Sequence, residues 1–164
     1  MSVDDLRSHI GERIIGAASL PLRSIDGVVE GRTVVECVLD QGVMIVVMRK
    51  DIWERSGLPL RHDMVLTMEN ANNSTNRTMG FLPRVRVSFG GMELLLRVQV
   101  VDNAPFEILL GRPFFSLTSC ETKDFRTGEQ HVMLTSPDTG ESLRFATREK
   151  GRRRRESVEE EADF

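Results

Sequence analysis

Two stretches of the chain repeat one order of parts. "VVEGRTVVECVLDQG" and "VSFGGMELLLRVQVVDNAPFEILLG" each place a glycine-containing turn between two β-prone arms, then run to an apolar segment that stops at glycine. Arms rich in Val and Leu on either side of Glu30–Gly31 and of Gly90–Gly91 are the pattern of β-hairpins. The likeness is one of pattern, not of identity. A chain built from two such units is expected to be all-β.

The intervening segments fit that class. "VMIVVM" is apolar at every position and is expected to be a strand buried on both faces. "RKDIWERSGLPL" predicts one or two helical turns, with Asp51 as cap, Gly57 in the left-handed position that ends them, and Pro59 preventing continuation. "MVLTMENANNSTNRTMGFLPRVRV" sets two β-prone arms around a polar tip from Asn70 to Arg77, which is expected to be a loop. "FEILLGRPFF" reads as an apolar strand cut by Gly111, and "QHVMLTSPDTGESLRFAT" as a last hairpin through its Pro-Asp-Thr-Gly turn. Residues 1–17 carry Leu6, Ile10 and Ile14 at fourfold spacing and are expected to be a leader or a short helix. Residues 148–164, basic and then acidic, are expected to be a disordered tail. The folded domain is thereby assigned to residues 18–147.

Several function classes fall away. The 164 residues suit one core, and 40% hydrophobic with 29% charged residues is a globular composition. No apolar run approaches the roughly 18 residues that span a bilayer, and the N-terminus is too charged for a secretory signal, so no membrane partner and an intracellular setting are expected. Cys37 and Cys120 lack paired spacing, and His9, His62 and His131 fit no metal-ligand pattern, so neither a metal nor a cofactor is implied. A net charge of −3 predicts no general attraction to nucleic acid, and the four arginines from Arg152 precede acidic residues that oppose phosphate binding. The Asn-X-Ser/Thr triplets at Asn72, Asn73 and Asn76 read as chance matches, and the methionines as gap-fillers in core and groove.

One residue stands against the apolar texture. Asp40 ends a Val-rich strand and is followed by Gln41 and Gly42. A carboxylate there loses hydration unless hydrogen bonds compensate, and a glycine two residues on lets backbone amides approach it. On the triplet alone, Asp40 reads first as the opening of a turn. The whole order of "VLDQG", "MRKDIWERSGLPLRHDMVLTMENAN" and "VQVVDNAPFEILLGRPFFSLTSCETKDF" resembles the retropepsin-like aspartic proteases. More narrowly, it is similar to the protease segment of Gag-Pol polyproteins in fungal long-terminal-repeat retroelements, or a domesticated copy of one. The resemblance spans roughly residues 18 to 147.

The resemblance implies a closed β-barrel with one short helix and an active site completed by homodimerisation. It implies that Asp40 is the catalytic residue, with one copy from each chain around a two-fold axis. Two carboxylates so close share a single proton. The ionised one takes a proton from water attacking the peptide carbonyl, and the protonated one hydrogen-bonds the carbonyl oxygen. Gln41, Gly42 and Val43 would form the active-site loop, and Met68 to Phe81 a flap, with Asn72, Asn73, Ser74 and Thr75 contacting a polypeptide substrate. Gly111 would let the second apolar strand pass beneath that loop, and Arg112 would lie near the dimer contact. The partners implied are a second copy of the chain and a peptide.

The family pattern is Asp, then Ser or Thr, then Gly, and here Gln41 stands in the middle. Glutamine also donates and accepts hydrogen bonds, yet its extra length meets its own symmetry mate in a packed place. Overpacking costs about 1–3 kcal/mol, and a misplacement of about 1 Å at reacting groups costs about a hundredfold in rate. A catalytically silent dimerisation or peptide-binding module is therefore the alternative, and Val43 and Met44, where the family often has a small or hydroxyl residue and then a polar one, point the same way.

Overall fold

The computed structural model describes residues 13–69 and 75–151. Leu6 and Ile10, the loop residues Asn72, Asn73 and Ser74, the glycosylation-like asparagines Asn72 and Asn73, and the charged run from Arg152 all lie outside the described residues. Residues 13–17 form no helix, and Ile14 and Ile15 are exposed.

Twelve strands are described. β1 (Arg23–Val29) turns through Glu30 and Gly31 into β2 (Thr33–Leu39), in register from Arg23 opposite Leu39 to Val29 opposite Thr33. β3 (Val47–Arg49) follows, then helix α1 (Lys50–Ser56). The short pair β4 (Thr67–Glu69) and β5 (Thr75–Arg77) stands apart as its own two-stranded ribbon. β6 (Gly80–Phe89) and β7 (Met92–Val101) form the long second hairpin, turning at Gly90 and Gly91. Their register slips between Leu82 and Val85, where Pro83 has no amide to offer the ladder. β8 (Ile108–Leu110) leads directly into helix α2 (Arg112–Leu117). The apolar strand of "FEILLGRPFF" ends at Leu110, just before the Gly111 expected to cut it, and what the sequence reading did not give is the helix that follows, with Pro113 in its first turn.

These elements close on themselves. The strand order β1-β2-β8-β3-β7-β6 returns to β1 through pairing of Val28 and Val29 with Ser88 and Val87, giving a six-stranded mixed barrel. The two repeated units interleave. β8 lies parallel to β2 and β3 lies parallel to β7, so each apolar strand inserts beside the other unit's hairpin.

The interior holds alternate residues of the hairpins, among them Ile25, Val35, Val87, Phe89, Leu94 and Leu96. Gly27 lies where a side chain would strike Phe89, whose ring reaches across to Phe114 of α2 with centroids 5.4 Å apart. α1 starts at Arg49, which supplies no side-chain cap. Asp51 sits in the first turn instead, where its charge favours the helix N-terminus, and Gly57 ends the helix with φ of 71°.

Beyond α2 the chain adds a three-stranded sheet from β9 (Glu121–Asp124), β10 (Gln130–Thr135) and β11 (Ser142–Ala146). Val132 and Leu134 of β10 are buried in the main core. The chain then returns to pair β12 (Arg148–Glu149) with Ser24 and Arg23 of β1. This corrects the expectation that the disordered tail starts at 148. Arg148 forms an ion pair with Asp26, Arg23 donates to Thr147, and the Gly151 amide donates to the buried Glu36 carboxylate at 2.7 Å. No described helix is long and apolar enough to cross a membrane.

Arg49 fastens α1 to the loop before β8. Its guanidinium donates to both Asp51 oxygens at 2.6 and 3.0 Å and reaches the carbonyls of Ala104 and Phe106. The hydrogen bond from Arg49 holds the Asp51 carboxyl below its ordinary value of 3.8. A carboxylate with a lowered folded value contributes stability that is complete above the ordinary range and is lost as pH falls through the folded value. Asp51 is 39% exposed, so solvent screening limits the pair to about 0.5–1 kcal/mol. Asp51→Asn should lower stability by that amount at pH 7 in urea titration, and the difference from the parent should shrink as pH drops below about 4.

Candidate active site

Asp40 lies one residue past β2, and the ladder carries on through it. Its amide donates to the carbonyl of Leu110 at 3.0 Å, which fixes it beside the end of β8. Its carboxylate Oδ1 accepts the amide of Gly42 at 3.0 Å, and the Val43 amide donates to the Asp40 carbonyl at 3.3 Å. The sequence folds this way because Gly42 offers no side chain to crowd the carboxylate. A Cβ there would stand 3.2 Å from Asp40 Oδ1.

Gly111 is the second fixed point. A Cβ on it would fall on the Ile45 carbonyl oxygen and 2.5 Å from that of Val43. The next amide, that of Arg112, donates to the Val43 carbonyl at 2.7 Å. The loop Asp40–Ile45 therefore rests on bare backbone at the start of α2, and no larger residue fits. The Arg112 side chain is exposed. Structure thus brings Asp40, Gln41, Gly42, Val43, Gly111 and Arg112 into one place. Thr75, the remaining described member of the expected flap contacts, opens β5.

Burial divides the loop. Asp40 is half-buried, Gln41 and Gly42 are exposed, and Met44 is 82% exposed. Val43 and Ile45 turn the other way, onto a small apolar cluster of Val38, Val47, Val101 and Leu109 that is separate from the main core. Phe106 and Ala104 pack against the same cluster. Alternation along β2 puts Val38 on the side of Asp40 while Leu39 enters the main core. Reading the sequence for charge missed this cluster. The signal was available in the period-two spacing of Val38 before Asp40.

The arrangement can do limited chemistry within one chain. It offers one carboxylate, held by one backbone amide, at the rim of an apolar patch. Among the described residues no group of three His, Cys, Asp or Glu side chains could hold a metal ion.

Gly111→Ala tests the close pass. The added methyl must displace a carbonyl-bearing loop, and such overpacking costs about 1–3 kcal/mol or more. The midpoint of urea unfolding should fall accordingly, whereas Gly140→Ala, with open space around its Cβ but φ of 77°, should lose only the smaller cost of left-handed backbone.

Comparison with known proteins agrees with this geometry. The aspartyl protease family model matches residues 25–114, more than half of the chain, and its span holds both Asp40 and Gly111. Among solved structures, the retroviral protease-like domain of Ddi1 from Leishmania major superposes with a TM-score of 0.51 at 15% sequence identity. That match covers 62% of this chain and 82% of that one. No curated protein sequence matches. The barrel has the retropepsin-like fold, and the chain belongs to the aspartyl protease family.

Proposed function

We propose that the chain is an aspartic endopeptidase of retropepsin type that works as a homodimer and processes a retroelement polyprotein inside the cell. The observation that carries this reading is the seat of Asp40. A carboxylate inside the span matched by the family model stands at the end of β2, with its loop held on bare backbone by Gly111.

One chain offers one such carboxylate, and hydrolysis by a dyad needs two. The exposed loop residues Gln41, Gly42 and Met44, with the exposed Arg112 beside them, form the surface through which a second copy would approach. Two copies of Asp40 meeting there cannot both ionise, so over a window of pH they share one proton. The charged partner takes a proton from water as it attacks the peptide carbonyl, and the neutral partner donates to the carbonyl oxygen. Val43, Ile45, Leu109 and Phe106 give an apolar wall beside the dyad, suited to the side chains flanking the cut bond. The hairpin that carries β4 and β5 is the flap in this reading, closing over the peptide.

Gln41 supports a second reading. It is exposed at the loop's tip, so in a dimer its long side chain faces its own copy, and a silent peptide-binding domain would tolerate what a catalyst would not. Cleavage of a peptide library at mildly acidic pH by the parent, Asp40→Asn and Gln41→Ser separates the two. Under the protease reading the parent cuts, and Asp40→Asn loses at least about a thousandfold, the scale set by removing one member of a catalytic pair. Cutting by Gln41→Ser alone would assign the chain to the silent class.

A further inference from the structure

Beside the end of the Asp40 loop, the outer face of β7 carries an apolar groove of about 390 Å³. Leu95, Arg97 and Gln99 line it from β7, Met64 and Leu66 from the approach to β4, and Leu117 from α2. Alternation along β7 sends Leu94, Leu96 and Val98 inward and leaves Leu95 and Arg97 outside. A leucine on the solvent side of a strand contributes nothing to the core. Yet Leu95 is 47% exposed, and the neighbouring Met64 and Leu66 are 45% and 38% exposed. Three large apolar side chains left open around one concavity are the mark of a surface that takes a partner.

We propose that this groove seats an extended segment of the polypeptide substrate, remote from the cut bond, bearing a bulky aliphatic side chain next to a carboxylate. That the segment belongs to a substrate rests on the protease reading, while the chemistry of the segment rests on the groove. Continuity argues for a peptide already held at Asp40. Ile45, the last residue of the Asp40 loop, packs against the apolar cluster beside Asp40 and also lines the groove, so the groove begins where that loop ends. Charge argues for the carboxylate. Arg97 is the only charged residue among the described lining, and it takes part in no ion pair among the described residues.

The groove is also wired to the hairpin above it. The Leu66 amide donates to the Thr78 hydroxyl at 2.9 Å, and that hydroxyl donates to Gln99 Oε1 at 2.8 Å. A segment seated against Leu66 and Gln99 therefore touches the residues that fix the base of β4 and β5.

The test uses the full chain carrying Asp40→Asn, with labelled methionine and leucine methyls followed by NMR. The probes are the blocked tetrapeptides acetyl-Glu-Leu-Glu-Leu-amide and acetyl-Lys-Leu-Lys-Leu-amide. The acidic probe should shift the methyls of Met64, Leu66, Leu95 and Leu117, and the basic probe should bind at least fivefold more weakly. Arg97→Glu should reverse that preference, and Leu95→Asp should abolish binding with the melting curve retained. Absence of shifts at these methyls, or equal binding of both probes, overturns the proposal. So does conversion of a dimer to a monomer by Leu95→Asp in sedimentation, which would assign the groove to a second copy. Binding is read without cleavage, so the two readings fail separately. Shifts in the groove with no cutting by the parent uphold the docking site and sink the protease, and cutting without shifts does the reverse.

Discussion

Everything near Asp40 depends on the absence of one side chain. At Gly111 the start of α2 passes so close beneath the loop that two carbonyl oxygens occupy the space of a Cβ, and the Arg112 amide bonds one of them. The contact joins the two interleaved units at the point where β2 and β8 run side by side. A carboxylate hung on a free loop would sample many positions. Here the strand ladder from below and the glycine from beneath hold it to one.

How much of this could be read in the amino acids varies with what carries the signal. The hairpins at Glu30–Gly31 and Gly90–Gly91 were legible because turn glycines and period-two burial act locally. The Asp40 loop and Gly111 were legible only through the order of distant segments, since a lone Asp-Gln-Gly reads as a turn. α2 was hidden inside an apolar run, where periodicity cannot tell a short helix from a strand, although Pro113 was a usable sign. β9 was missed because all four of its residues are exposed and it lacks alternation. β12 was missed because Arg148 and Glu149 look like the start of a charged tail. Their ladder with β1 and the ion pair to Asp26 involve residues more than a hundred positions away.

The site residues divide in the same manner. Charged and glycine positions drew the eye, while the apolar wall of Val38, Val47, Val101 and Leu109 did not. Its members resemble ordinary core residues in sequence. They form a second cluster because neighbouring strands each present alternate residues to the outer face, and a barrel has two faces to cover.

The pairing of β12 with the first residues of β1 has a topological outcome. Arg23 stands opposite Glu149, so the polypeptide enters and leaves the barrel at one corner. Such a unit can be threaded into a longer polypeptide like a bead whose two holes coincide. The flanking segments need not span it, and pulling on them loads the β1–β12 zipper before it loads the core.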